Sequence, residues 1–139
     1  MKAYLDSSVI LRVVLGQPGR LREWRKVEMG VGSGLVEVEC LRTLDRLRIA
    51  GMLSDEQLAT RRETVYRLTE EMEMVEPTTV VLRRASQPLP TPLGTLDAIH
   101  LATAILWREL RNEELTIATH DRALGTAARA TGFKVIGIQ

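Results

Sequence analysis

The sequence predicts an α/β domain, a short central parallel sheet covered by helices on both faces in three α/β/α layers. Two observations predict it. Short apolar segments with strand character alternate along the chain with longer segments of helical period, the pattern of a parallel sheet built through helical crossovers. The chain is also of single-domain size: 139 residues, 45% hydrophobic and 27% charged, are enough to bury one core without disulfides. One domain is expected over residues 1–139, with no internal repeat or interdomain linker.

The elements follow in order. Residues 2–5 read as a strand stopped at Asp6, and 7–15 alternate apolar residues at helical spacing until Gln17-Pro18-Gly19. A short basic helical piece carrying Arg20, Arg22, Arg25 and Lys26 is expected next, then a weak strand over 27–33 interrupted by glycines. Residues 35–50 predict a helix ended by Gly51. Ser54-Asp55-Glu56-Gln57 fits a capping box, so a long helix should run from there to about Glu73. A short strand over 74–76 precedes Pro77, and Thr78 can cap a helix reaching Ala85. After a proline-rich loop at 88–92 comes a strongly apolar helix over 96–110. The chain then predicts a strand at 115–118, a helix at 120–130 closed by Gly132, and a last strand at 134–138.

Composition excludes several classes. Cys40 is the one cysteine, so no internal disulfide forms and nothing calls for an oxidising compartment. No apolar run is long enough to span a bilayer, and an aspartate arrives too early for a signal peptide, so no membrane association and a cytoplasmic location are expected. A net charge of +1 makes no case for nucleic acid by itself. Basic residues are mostly arginine, with only Lys2, Lys26 and Lys134 as lysines; arginine suits bidentate phosphate contacts, though a coding bias accounts for the excess equally simply.

Three aspartates stand out. Asp6 and Asp121 each follow a short apolar strand and open a helix, which puts both on the rim where open α/β sheets bind ligands. Each can also be read as a helix N-cap and nothing more. Asp97 is harder to explain that way. The stretch Ala98-Ile99-His100-Leu101-Ala102-Thr103-Ala104-Ile105-Leu106 is apolar on nearly every side, so its helix is buried, and buried carboxylates are rare unless paired or bound to metal. The competing account has Thr95 as the cap and Asp97 as a favourable first-turn charge. His100 shares the Asp97 face and fits a hydrogen-bonded packing role. For a fourth carboxylate, periodicity leaves two readings: Glu37 in the stripe of Leu41, Leu44 and Leu47, or Glu39 facing a cleft or simply paired with Arg42 and Arg46.

Four segments occur in order: Tyr4-Leu5-Asp6-Ser7-Ser8, Ser33 to Arg42, Leu96 to Ala104 with Asp97-Ala98-Ile99-His100 inside it, and Thr119-His120-Asp121-Arg122. Together they resemble the PIN domain, and most closely the VapC-type toxins of toxin–antitoxin pairs, over essentially the whole chain. The resemblance implies a PIN-like nuclease fold and a catalytic, metal-binding set of Asp6, Glu39, Asp97 and Asp121. It decides for Glu39 over Glu37, because the family places a glutamate six residues after the Ser or Thr that ends the second strand, here Ser33. It further implies an Mg²⁺- or Mn²⁺-dependent ribonuclease acting on RNA, with a cognate antitoxin as partner and a homodimer as assembly.

Chemistry agrees with that set. Hard divalent ions take oxygen ligands and keep several waters, and crowded carboxylates without a cation repel and raise at least one pKa. Asp6 and Asp97 would be the most direct ligands, with Asp121 and Glu39 direct or through water. Ser7 and Thr119 would hydrogen-bond the carboxylates from behind. Arg12, Arg42 and Arg46 are candidates for substrate phosphates or an inhibitor's acidic tail. The helix over 61–73, with Val65, Leu68 and Met72, offers either a partner surface or more core. Three rival readings are a PIN nuclease of RNA processing with no antitoxin, a non-catalytic PIN scaffold and a phosphoacceptor receiver domain. The receiver reading is poor: it requires adjacent acidic residues after the first strand, and Asp6 is followed by Ser7-Ser8.

Overall fold

The computed structural model describes residues 1–138 and is a five-stranded parallel sheet between two helical layers. In chain order the strands are β1 (Lys2–Leu5), β2 (Met29–Ser33), β3 (Glu73–Val75), β4 (Thr116–Ala118) and β5 (Lys134–Ile136). The helices are α1 (Ser7–Val14), α2 (Leu35–Ile49), α3 (Asp55–Glu70), α4 (Thr79–Ala85), α5 (Thr95–Arg111) and α6 (Arg122–Ala130). The sheet order is β3-β2-β1-β4-β5, with β1 in the middle.

Strand alternation sorts the core into two layers. Ala3, Leu5 and Ala118 face one side, where they meet Val9, Ile10 and Val14 of α1, Val36, Cys40 and Leu44 of α2, and Val65 of α3. Tyr4, Val31 and Ile117 face the other, against Leu101, Ala104 and Ile105 of α5 and Leu124, Ala127 and Ala128 of α6. Each large apolar side chain fully withdrawn from water contributes about 1.5–3 kcal/mol, so both layers are needed to hold the sheet. Val65 is fully buried, and Leu68 and Met72 pack on the same cluster, so these three residues of the 61–73 segment are core.

Local signals explain most boundaries. Ser54 and Gln57 form the reciprocal capping box, and Thr78 accepts from the Val81 N–H to start α4. Helix α3 ends at Glu70, sooner than expected, because Glu73–Val75 pairs with β2 as an edge strand. The basic segment after Gly19 does not form the expected helix; only Trp24–Lys26 makes a 3₁₀ turn. Its arginines offer no apolar stripe, and Leu21 alone is buried. The glycines of β2 have a packing reason: a Cβ on Gly32 would stand 2.8 Å from Met72 Cε. No helix is long and apolar enough to cross a membrane among the described residues.

Candidate functional site

Helices α1 and α6 leave the adjacent strands β1 and β4 toward opposite faces of the sheet, which opens a crevice beyond the strand ends. Leu5 is in register with Ala118, so Asp6 and Thr119 emerge side by side into that crevice. Gly137 allows the close approach beside them. Its φ is +99°, and a Cβ there would stand 2.5 Å from the Thr119 carbonyl oxygen. His120 Nδ1 lies 2.8 Å from the Gly137 carbonyl, which it donates to, tying down the turn that presents Asp121.

Asp6 is 4% exposed. It is the N-cap of α1, with Oδ1 accepting from the Val9 N–H at 3.3 Å and from the Ser8 hydroxyl at 2.5 Å. Its Oδ2 accepts from the Thr119 hydroxyl at 2.5 Å. Burial raises its pKa, and the Ser8, Thr119 and Val9 donors oppose that. Asp121 is likewise the N-cap of α6, accepting from the Leu124 N–H at 3.1 Å, while its own N–H donates to Thr119 Oγ1 at 3.0 Å. The capping reading of both residues is therefore correct, and capping leaves carboxylate oxygens over. One of them reaches Asp97.

Asp97 lies in the first turn of α5, half-buried. The N-cap is Gly94, with no side-chain bond to the helix, so Thr95 is not the cap. Burial first, and then the charge and hydrogen bond of Asp121 and the charge of Asp6, push the Asp97 carboxyl up to about 6; His100 opposes them. Three aspartates from three elements thus converge, and they repel.

Glu39 turns to the same crevice from α2. Its Oε1 lies 2.5 Å from His100 Nε2 and its Oε2 accepts from the Ser7 hydroxyl at 3.3 Å. Glu37 points elsewhere, toward Thr69 Oγ1 at 3.5 Å. The helix-surface pairing considered for Glu39 does not form. Arg42 reaches Asp45 at 3.5 Å and Arg46 reaches the Thr43 hydroxyl at 3.0 Å. Both arginines nevertheless line an open cleft with Ser7, Glu39 and Leu96. Arg12 donates to the Gly19 carbonyl at 3.0 Å and borders a different groove, shared with His120 and Arg122.

Sequence reasoning missed Ser8, Tyr4 and the double engagement of His100. Ser8 holds Asp6 and accepts from the His120 N–H at 3.0 Å, so it stitches β1 to the β4 turn. A hydroxyl two residues after a capping aspartate was the available signal. The Cys40 thiol, pushed up to about 12 by burial and then by Glu39 and Asp6, is not a nucleophile.

The donors are all carboxylate oxygens, the set hard divalent cations select. Among the described residues no group of three His, Cys, Asp or Glu side chains is placed to hold a metal ion together. An Mg²⁺-type ion does not require one, since it keeps several waters and takes one or two carboxylates directly. Asp97 and Asp121, already in contact, offer two such carboxylates.

The chain is similar to several known proteins. The PIN domain family model matches residues 3–132. Ribonuclease VapC46 of Mycobacterium tuberculosis strain H37Rv is 33% identical over 137 residues, 96% of this chain and 95% of that protein. Ribonuclease VapC47 of Mycobacterium tuberculosis strain CDC 1551 is 26% identical over 132 residues, 94% of this chain and 92% of that one. In structure, a toxin–antitoxin complex from Klebsiella pneumoniae superposes with a TM-score of 0.65 at 14% identity, covering 99% of this chain and 95% of its own.

Proposed function

The chain belongs to the PIN domain family, and from that membership we propose that it is a divalent-cation-dependent endoribonuclease and the toxin of a toxin–antitoxin pair. The observation that carries the reading is the convergence of Asp97, Asp121 and Asp6, with the Asp97 carboxyl held near 6 by burial and its anionic neighbours. Such a cluster is unfavourable alone and favourable around a cation. Two relatives named as ribonucleases and a structural neighbour that is a toxin–antitoxin complex support RNA and an antitoxin as partners. A homodimer, implied by the resemblance, and a cytoplasmic site of action, expected from the sequence, belong to the same proposal.

In this reading Asp97, Asp121 and Asp6 would hold Mg²⁺ or Mn²⁺, with Glu39 completing the set directly or through water. A bound ion there supplies Lewis-acid activation of water and neutralises charge on the phosphate. The protein's own groups do the rest. Thr119 and Ser8 fix the Asp6 carboxylate, and Ser7 holds one oxygen of Glu39. Glu39 orients the attacking water and accepts its proton as the bond from phosphorus to the leaving ribose oxygen breaks, and that oxygen takes a proton from solvent. Arg42 and Arg46 take phosphate on one side of the cluster.

The proposal is tested by incubating purified protein with RNA and Mg²⁺ or Mn²⁺. Cleavage is expected with either ion and none with chelator; full activity in chelator would sink the metal reading. Expression of the chain alone is expected to arrest bacterial growth, with relief by a small partner encoded beside it. Normal growth together with genuine RNase activity would remove the toxin role and keep the nuclease, as a PIN enzyme of RNA processing.

The substrate's path on the other side is suggested by charge. Arg20, Arg22 and Arg25 are exposed, form no ion pair among the described residues, and line grooves continuous with the one beside Arg12 and His120. Replacing all three by alanine is expected to lower the slope of log affinity against log salt by roughly 2, at about 0.7 per single-strand phosphate contact. The measurement is RNA binding by the Asp97→Asn variant in chelator, where no cleavage intervenes. An unchanged slope would place the strand elsewhere.

A further inference from the structure

Helix α5 brings to the site a histidine for which the cleavage steps above have no direct use. His100 is 1% exposed, yet both its ring nitrogens are engaged: Nε2 is 2.5 Å from Glu39 Oε1, and Nδ1 is 2.6 Å from the Tyr4 hydroxyl. Tyr4 is itself fully buried and meets the imidazole edge-on, with ring centroids 5.8 Å apart and planes at 71°. We propose that His100, set by Tyr4 in the tautomer with its proton on Nε2, is the positioning residue that holds Glu39 toward the carboxylate cluster. The inference rests on the metal-nuclease reading for its consequence, though not for its geometry.

The direction of each bond follows from which groups have protons to give. A carboxylate has no proton to give, so Glu39 Oε1 accepts and His100 Nε2 donates. The Thr103 hydroxyl gives its proton to the Ile99 carbonyl at 2.7 Å. His100 Nδ1 is the acceptor at bonding distance for the phenol proton. Nδ1 is then the lone-pair nitrogen and Nε2 carries the hydrogen, which it donates to Glu39. Ser7 donates to the other Glu39 oxygen, so both are fixed from opposite sides.

Glu39 needs that restraint. It lies on α2 three residues before Arg42, whose side chain is largely exposed, and neighbours at that spacing on a helix meet. A glutamate free to rotate would be drawn along the helix surface to that guanidinium and away from the cluster. The donor from α5 fixes it across the crevice, from a helix that also carries Asp97. One rigid element therefore sets the positions of two of the proposed carboxylates.

Two amide substitutions separate positioning from packing. In His100→Gln the amide nitrogen falls near the place of Nε2 and keeps a donor for Glu39; in His100→Asn it falls near Nδ1 and does not. A purely structural role would respond alike to both. Mn²⁺ affinity is expected to stay within about threefold of wild type in His100→Gln and to weaken by about 10–100-fold in His100→Asn, the usual range for losing a residue that orients a ligand. Nitrogen-15 spectra of the metal-free wild type are expected to show the Nε2 tautomer in excess over the Nδ1 tautomer, with that preference lost in Tyr4→Phe. Equal weakening in both amide variants, or a wild-type ring protonated on Nδ1, would overturn the proposal. The wild-type spectrum requires no substitution, so it decides even if a variant fails to fold. Failure of wild type to bind Mn²⁺ would instead overturn the nuclease reading, and the spectrum would still report on the bonds to Tyr4 and Glu39.

Discussion

Asp97→Asn is expected to lower Mg²⁺-dependent RNA cleavage by about two to three orders of magnitude, the scale on which losing one charge-stabilising group acts. Asparagine keeps the size of the side chain and its place in the first turn of α5, so the fold and the neighbouring Ala98 and Leu101 packing are untouched. What goes is a negative charge at the one point where α5, the β4 turn and β1 converge. The amide also loses the ability to act as an anionic ligand, and its NH₂ group points a donor where a cation belongs. Initial rates should be compared with those of Asp45→Asn, a carboxylate paired with Arg48 at 2.9 Å on the exposed side of α2. Asp45→Asn is expected to cleave at nearly the wild-type rate. Retention of more than about a tenth of wild-type activity by Asp97→Asn would remove the cluster from the mechanism.

How legible this site was in the sequence differs from residue to residue, for physical reasons. Asp97 declared itself because a carboxylate beside an apolar helix has few inexpensive explanations. Asp6 and Asp121 did not, since each satisfies the rule for a helix N-cap and the structure shows each doing that too. A local rule that is correctly obeyed carries no information about what the remaining oxygens do. Glu39 was undecidable from periodicity: its partner, His100, lies 61 residues away on another helix. Only the resemblance to a family chose it over Glu37. The strand and helix elements were legible wherever apolar period and caps agreed. The expected helix after Gly19 was not there because a run of charged residues satisfies helical spacing without having a face to bury.

Asp97 should also make the metal-free protein more stable when it is removed. Its folded carboxyl is raised from 3.8 to about 6, so the folded state holds the proton more tightly than the unfolded state does. The stabilisation from that proton is present in full below pH about 4 and is lost as pH rises through about 6. Asp6 is shifted in the same direction by its burial and adds to the same trend. A shift of roughly 2 units corresponds to about 3 kcal/mol. Asp97 is only half-buried, so solvent screening reduces this to about 1–2 kcal/mol, a factor of roughly 5–30 in the folding equilibrium. Urea unfolding in chelator is therefore expected to show Asp97→Asn more stable than wild type by about that amount at pH 8, with the two converging near pH 4. Adding Mg²⁺ at pH 8 should reverse the order, because wild type binds it in the folded state and gains about 2.7 kcal/mol at a hundred times its Kd. Parallel pH profiles for the two proteins would mean that the carboxylates do not repel. The cluster would then have no need of a cation, and the strain that links this fold to its proposed chemistry would be absent.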